Sequence, residues 1–260
     1  IAQGAAMCCD SAHKTLPVVT GGAYLHLGHD APVQDEAAVR GALALFGSTS
    51  PSYLILQSLD ACNAVLAGNY PRRLAQCCAA LEGLRRSLNK AAAARQCPVP
   101  LAVAGAQQEP MKLTLDAAAL GCTGTALADA LRRAQMECEY ADPRYVVLMF
   151  TPENPPQDFE RLQTALEQLL AAVPAGLPRP ENRAGEFAAL QQAVQRCTIR
   201  QAVLGAQVRV PVHKALGRVC AMPTVSCPPA IPVAVSGEEI TPAAIALMQR
   251  YGIEELSVLR

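Results

Sequence analysis

The sequence predicts an α/β protein built from more than one domain. Its 260 residues are enough to bury one large core or two modest ones. Short apolar segments beside Gly and Pro turns alternate with longer segments whose apolar residues recur at helical spacing, which is typical of mixed strands and helices. Two proline-containing breaks, at 97–100 and 173–180, interrupt these patterns and predict linkers.

The first predicted elements are a short strand and a helix. Segment 18–27 contains Gly21-Gly22 and predicts a turn followed by a buried strand. The acidic pair Asp35-Glu36 favours a helix start, and Gly47 ends a predicted helix over 34–46. The apolar face of that helix consists of Val39, Leu43 and Phe46.

Two further helices are predicted before the first break. Ser48-Thr49-Ser50-Pro51 predicts the cap and first turn of the second helix, because hydroxyls cap helices and proline is tolerated in the first turn. Its apolar stripe consists of Ile55, Leu59, Cys62 and Leu66. A long helix rich in Ala, Leu and Arg follows from 71 to about 96, and its Cys77-Cys78 pair is interpreted as packing.

The remaining segments predict a mixture of strands and helices. In the middle of the chain these are a strand at 112–116, a helix at 125–136, strands near 138–140 and 145–150, and a helix at 157–172 with a buried face of Phe159, Leu162, Leu166 and Leu169. Near the end of the chain they are a helix at 186–197, a rigid extended turn at 227–232, and a helix beginning at Thr241-Pro242 behind Gly237-Glu238-Glu239.

Composition limits the classes of function. The 22 basic and 22 acidic residues cancel, so neither a nucleic-acid partner nor a membrane-surface partner is predicted. The eleven cysteines are an odd number without a Cys-x-x-Cys motif, which predicts reduced thiols in a cytoplasmic protein without a disulfide framework or a metal site. Neither a signal peptide nor a bilayer-length apolar run is recognised.

The candidate catalytic segment is Ser11-Ala12-His13-Lys14, followed by Gly21-Gly22. Lysine is scarce here, with four lysines against eighteen arginines. A lysine amine can condense with a carbonyl when its environment favours the neutral form, and neighbouring Ser and His side chains suit a phosphate. Taken alone, the tetrapeptide favours an ordinary surface loop. His213-Lys214 repeats the dipeptide without the serine or the glycines and is interpreted as a packed or exposed pair.

Four ordered blocks resemble the pyridoxal-phosphate-dependent ornithine/lysine/arginine decarboxylases, which have fold type I of the aspartate aminotransferase superfamily. The blocks are Ser11-Ala12-His13-Lys14 with its glycine turn, the Ser-Thr-Ser-Pro-Ser-Tyr segment beginning at 48, Pro110-Met111-Lys112-Leu113 leading to 120–124, and Cys227-Pro228-Pro229-Ala230-Ile231-Pro232 leading to Gly237-Glu238. The resemblance implies the end of a fold type I large domain with its linking helix at 1–97. Small α+β domains would follow at 98–175 and 181–260.

The resemblance also implies roles for particular residues. Lys14 would bond covalently to pyridoxal phosphate, while Ser11 and His13 would position the phosphate, His13 also being a catalytic residue. Ser48, Thr49 and Ser50 would reach the phosphate of a neighbouring subunit, so the site would need a homodimer or a higher oligomer. A weaker hypothesis places Glu238 near the entrance, where its carboxylate would attract a guanidinium or ammonium group.

The implied reaction is decarboxylation of a basic amino acid, as in polyamine biosynthesis. Arginine is preferred over lysine or ornithine because the short C-terminal domain resembles the compact arginine decarboxylase-like branch. The family's aspartate for the pyridine nitrogen, its ring-stacking residue and its phosphate loop are not found, and the first residue is Ile1. The chain is therefore expected to be the C-terminal part of such an enzyme. The alternatives are a non-catalytic fragment or regulatory subunit, and another fold type I enzyme such as an aminotransferase or lyase.

Overall fold

The structure is a computed structural model that describes residues 1–33, 35–105, 108–174, 176–178, 180, 190, 193–222, 224–226 and 231–260. Its helices are α1 (Glu36–Phe46), α2 (Tyr53–Ala67), α3 (Tyr70–Ala94), α4 (Gly124–Arg133), α5 (Pro156–Ala171), α6 (Ile199–Leu204) and α7 (Pro242–Arg250). Its strands are β1 (Met7–Asp10), β2 (Tyr24–Leu27), β3 (Lys112–Asp116), β4 (Tyr140–Ala141), β5 (Tyr145–Met149), β6 (Gln207–Pro211), β7 (Thr224–Ser226), β8 (Ile231–Ala234) and β9 (Glu255–Leu259). The mixture of helix and sheet agrees with the predicted α/β class.

The chain divides into two compact units. Unit 1 comprises residues 1–80 and 150–156, and unit 2 comprises 81–149 and 157–260, so the division falls inside α3. The domain boundaries expected at 97–98 and 175–181 remain predictions.

In unit 1, β1 and β2 form an antiparallel pair, with Met7 opposite Leu27 and Asp10 opposite Tyr24. The strand predicted within 18–27 is therefore present, but the prediction that it is buried is wrong, because Leu25 and Leu27 are exposed. Within the described ranges no third strand pairs with β1 or β2, so this sheet has two strands, each with an unpaired edge.

Helix α1 forms as predicted, but its apolar face is not covered. Asp35 caps it through a hydrogen bond that its side chain accepts from the Ala37 amide at 3.0 Å. None of its residues is buried, and Phe46 is 91% exposed. Helical spacing of the apolar residues therefore predicts the helix correctly, but it does not predict whether another part of the protein covers the apolar face.

Helix α2 begins later than predicted. Its cap is Ser52, whose hydroxyl accepts from the Ile55 amide, so Ser48, Thr49 and Ser50 lie in the preceding loop and not in the first turn. The physical reason is Pro51, which disfavours helical backbone at Ser50 and delays the start. The predicted stripe is confirmed, since Cys62 is buried and Ile55, Leu59 and Leu66 are partly buried.

Unit 2 begins with a three-stranded antiparallel sheet in the order β3-β5-β4. Strand β3 has the predicted bounds, and Leu162 and Leu166 of α5 are buried as predicted. Arg85 of α3 donates to the Lys112 carbonyl oxygen at 2.5 Å and joins the helix to the start of β3. Fully buried side chains from the helices and strands around this sheet are Leu81, Leu88, Leu113, Leu115, Leu127, Leu131, Val146, Leu166 and Leu170.

The last part of unit 2 has a hydrophobic cluster of its own. Strands β6 and β9 pair antiparallel, with Gln207 opposite Leu259, and α7 begins behind its cap Thr241 as predicted. The cluster includes Val212, Cys220, Ile240, Ala244, Met248, Leu256 and Val258. Half of the helix predicted at 186–197 (186–189, 191 and 192), and residues 227–230 of the proline-rich segment, lie outside the described residues. At 193–197 the helix prediction is wrong, because these residues are not helical and Gln195 forms an isolated β-bridge with Glu238.

Candidate active site

Lys14 lies at the end of a short turn that directly follows β1. Residues Ala12–Lys14 form one turn of 3-10 helix, and the Ala12 carbonyl oxygen accepts from the amides of Thr15 (3.3 Å) and Leu16 (2.9 Å). Ala12 is buried and anchors the turn, whereas Ser11 and Lys14 are exposed. Because Ala12 points inward, the side chains of Ser11 and Lys14 on either side of it face the solvent.

His13 is held by the glycine turn. Its Nδ1 lies 3.0 Å from the Gly22 carbonyl oxygen, and its main-chain N–H donates to the same oxygen at 3.3 Å. A carbonyl can only accept, so Nδ1 carries the proton. Nε2 then accepts a hydrogen bond when the ring is neutral and donates one when the ring is protonated.

The two glycines are required by close packing against α2. Gly21 has φ +102°, and a Cβ there would lie 3.3 Å from the Ile55 side chain. A Cβ on Gly22 would clash with Val18 and lie 3.3 Å from Leu59. The glycine turn can therefore approach α2 closely while its Gly22 carbonyl holds His13.

Sequence reasoning missed Tyr24 and Ser58. The Tyr24 hydroxyl donates to the Leu59 carbonyl oxygen at 2.8 Å, and the Ser58 hydroxyl accepts from the Val19 amide at 3.1 Å. Burial, with a smaller contribution from the Cys62 thiol, raises the pKa of Tyr24. These pairs are separated by more than thirty residues along the chain. No local motif predicts them, apart from the polar position 58 within a largely apolar helix.

An exposed polar group lies on β1 and β2 beside this turn. The Cys8 thiol donates to Asp10 Oδ1 at 3.0 Å, and His26 Nε2 lies 3.3 Å from Asp10 Oδ2. The hydrogen bond to Asp10 raises the pKa of the Cys8 thiol, which keeps it protonated and less nucleophilic. Only the alternation of positions 8 and 10 along a strand could have indicated this group from the sequence.

Ser48, Thr49 and Ser50 do not join the Lys14 turn. They are exposed, and the Ser48 hydroxyl accepts from the Ser50 amide at 3.1 Å. None of the contacts among the described residues connects them with Ser11, His13 or Lys14.

Glu238 belongs to unit 2, and its carboxylate already has a partner. Its Oε2 accepts from the Val235 amide at 2.8 Å, while neighbouring Glu239 pairs with Arg196 at 2.6 Å. Both carboxylates therefore stabilise the loop before α7.

His213 and Lys214 are exposed in a 3-10 turn, in agreement with the interpretation of that dipeptide as a packed or exposed pair.

The residues of the Lys14 turn fit pyridoxal phosphate in their chemistry. The Lys14 amine is exposed, and none of the described contacts is a hydrogen bond or ion pair of that amine, which leaves it accessible to an aldehyde. The exposed Ser11 hydroxyl can donate a hydrogen bond to a phosphate oxygen, and the His13 ring is held in place by its Nδ1 contact with the Gly22 carbonyl oxygen. An amine, a hydroxyl and an imidazole thus come together in a single turn.

In the described part of the chain, no group of three or more His, Cys, Asp or Glu side chains is placed so that it could hold a metal ion. Among the described helices none combines the length and the apolar character needed to cross a membrane.

Comparison with known proteins identifies relatives in one family. The family described as Orn/Lys/Arg decarboxylase, major domain, matches residues 2–157. An arginine decarboxylase of Bacillus subtilis (strain 168) is 28% identical over 243 residues, covering 92% of this chain and 48% of that protein. An uncharacterized protein of the same organism, YaaO, is 28% identical over 257 residues, covering 95% of this chain and 50% of that protein. The chain spans about half the length of these curated relatives.

Solved structures show the same fold. The constitutive lysine decarboxylase of E. coli matches with a TM-score of 0.71 at 16% identity, covering 98% of this chain and 49% of that one. The lysine decarboxylase LdcF of Francisella novicida matches with a TM-score of 0.72 at 16% identity, covering 97% and 48%. The family predicted from the four sequence blocks is confirmed. Since the family match covers more than half of its residues, the chain belongs to the Orn/Lys/Arg decarboxylase family.

Proposed function

We propose that this chain forms the lysine-bearing part of a pyridoxal-phosphate-dependent enzyme that decarboxylates a basic amino acid. The observation that carries the proposal is the Ser11-Ala12-His13-Lys14 turn, where an exposed amine, a hydroxyl and an oriented imidazole lie together in a member of this family. Bound pyridoxal phosphate supplies an electron sink for the electron pair left when carbon dioxide departs.

Each residue of the turn has a distinct role in this proposal. Lys14 would hold the cofactor covalently, its amine condensing with the aldehyde carbon as water leaves, and would form that bond again as the amine product departs. Ser11 donates to the phosphate. His13, fixed through Nδ1 to the Gly22 carbonyl oxygen, would place its ring beside the phosphate.

Arginine is the proposed substrate, with lysine and ornithine as alternatives. A curated relative with a named activity, an arginine decarboxylase, is 28% identical over 92% of this chain. The lysine decarboxylase structures are only 16% identical and support the fold alone.

Glu238 is proposed to attract the guanidinium group with the carboxylate oxygen that does not accept from Val235. Unchanged substrate affinity in Glu238→Gln would remove that role.

A homodimer is also proposed, with Ser48, Thr49 and Ser50 of one subunit approaching the phosphate held by the other. Its support is the exposed apolar segment around these hydroxyls, where Phe46 is 91% and Tyr53 83% exposed. Large exposed apolar surfaces mark interaction sites.

The direct test is release of carbon dioxide from carboxyl-labelled arginine, lysine and ornithine by the purified chain with pyridoxal phosphate. We expect arginine to react fastest and Lys14→Ala to abolish release. Release that persists in Lys14→Ala would contradict the proposal. Bound cofactor without release from any of the three amino acids would favour a non-catalytic subunit or another reaction of this fold.

A further inference from the structure

The connection between β1 and β2 carries both the Lys14 turn and the glycine turn, and it has little regular structure of its own. Residues Ala12–Lys14 form the only helical turn between Asp10 and Tyr24, all of which are described residues. Reactive groups on a loop need support from rigid elements, because displacements of about 0.5 Å already weaken a site. What holds this connection is therefore important for its chemistry.

Helix α2 supplies that support at two points on either side of Gly22. Before the glycine, the Val19 amide donates to Ser58 Oγ at 3.1 Å. After it, the Tyr24 hydroxyl donates to the Leu59 carbonyl oxygen at 2.8 Å and lies 3.1 Å from Asn63 Oδ1. All three acceptors belong to α2, where positions 59 and 63 lie one turn apart on the same face and Ser58 directly precedes Leu59.

Ser58 is prepared for this contact. Its hydroxyl hydrogen is used by the Ile55 carbonyl oxygen at 2.7 Å, which turns a lone pair of Oγ toward the Val19 amide. Tyr24 is partly buried, and burial raises the pKa of its hydroxyl, so it remains a donor throughout the neutral range. Both contacts therefore have fixed donor and acceptor roles.

The contacts continue to the candidate active site. Gly22 is buried against Leu59 between the two anchor points, and its carbonyl oxygen accepts from both the ring and the main chain of His13. The position of the His13 ring, and of the turn that ends in Lys14, thus depends on where α2 holds Gly22.

We propose that Tyr24 and Ser58 are positioning residues of the cofactor site, which act through Gly22 on His13 and Lys14. This inference rests on the proposed function for the role of Lys14, but the contacts themselves do not. Neither residue touches the reacting groups.

The test compares Tyr24→Phe and Ser58→Ala with matched control variants. Tyr145→Phe removes a hydroxyl from a tyrosine of unit 2, and Ser87→Ala removes a helical serine hydroxyl that accepts from Gln163 at 3.1 Å. Without cofactor, hydrogen exchange is measured at the amides of His13 and Gly22, which donate to Gly22 and Val19. With pyridoxal phosphate, its dissociation constant is measured from the absorption band that depends on Lys14.

Loss of one hydrogen bond is expected to raise exchange at both amides, and the dissociation constant, about fivefold in each test variant and in neither control. A purely structural role would lower Tm and leave the dissociation constant at the control value, which would overturn the proposal. Exchange indistinguishable from the controls would also overturn it. If the unchanged chain shows no Lys14-dependent band, the proposed function fails, and the exchange measurements still decide whether Tyr24 and Ser58 hold the turn.

Discussion

Asp116 is a buried carboxylate of unit 2 that forms an ion pair with Arg144. Its side chain is 7% exposed, and Arg144 approaches it with Nη2 at 2.7 Å and Nε at 3.1 Å from Oδ2. The carboxylate also raises the pKa of Arg144 through this hydrogen bond. Removing the Arg144 guanidinium leaves the buried Asp116 carboxylate without its cationic partner. The loss of folding stability is then larger than when an exposed ion pair is broken.

We therefore expect Arg144→Met to lower the free energy of unfolding by about 2–3 kcal/mol. The matched control is Arg40→Met, which breaks the exposed Glu36–Arg40 pair on α1 and is expected to cost about 0.5 kcal/mol or less. Urea unfolding measures both. Equal losses in the two variants would show that the Asp116 pair contributes no more than a surface ion pair.

At this scale the sequence identifies residues whose role is local and misses those whose role depends on distant partners. The resemblance of the Ser-x-His-Lys pattern and its two following glycines to the decarboxylase family singles out Lys14, and the structure places it at the end of a short turn. Tyr24 and Ser58 have no such pattern, because their partners lie more than thirty residues away.

Helix α4 depends on a glycine at its first position. A Cβ on Gly124 would clash with the Asp142 carbonyl oxygen and lie 2.5 Å from the Tyr145 carbonyl oxygen. Both atoms belong to the main chain and cannot move aside as a side chain can. The absence of a side chain at Gly124 therefore lets α4 pack against the turn between β4 and β5.

We expect Gly124→Ala to destabilise the protein by about 2–3 kcal/mol. Gly83→Ala, inside α3 where a Cβ meets no atom within 4 Å, is expected to stabilise it by about 0.5–1 kcal/mol. Thermal unfolding measures both variants: Tm should fall in Gly124→Ala and rise in Gly83→Ala. A stable Gly124→Ala variant would mean that α4 does not pack this closely on the turn.

The sequence predicts the positions of helices and strands better than it predicts which of their side chains are buried. Strand β3 and the stripe of α2 follow directly from apolar spacing, because each has its covering surface within the same unit. Spacing also predicts α1 and β2, yet the apolar side chains Leu43, Phe46, Leu25 and Leu27 are exposed. Periodicity states which face is apolar, whereas burial depends on whatever packs on that face.

For the whole molecule, the exposed apolar segment at 43–56 predicts self-association. Aromatic side chains concentrate in the cores of interfaces, and Phe46 and Tyr53 project from the two helices that flank Ser48, Thr49 and Ser50. We expect the chain to sediment as a dimer and Phe46→Glu as a monomer, since an unpaired charge at the interface is costly.

Leu216→Glu is the control for that measurement, because Leu216 is a large exposed apolar residue of unit 2. It should remain a dimer. A monomeric unchanged chain at micromolar concentration, or a dimer that persists in Phe46→Glu, would contradict the proposed role of this segment.

The central claim is that Lys14 is the residue that binds pyridoxal phosphate covalently, and a visible absorption spectrum of the chain with the cofactor tests it most directly. The matched control is Lys214→Ala, because Lys214 is also exposed, follows a histidine and ends a 3-10 turn. We predict a cofactor band that is lost in Lys14→Ala and unchanged in Lys214→Ala. A band that persists in Lys14→Ala, or that is absent from the unchanged chain, would contradict the claim.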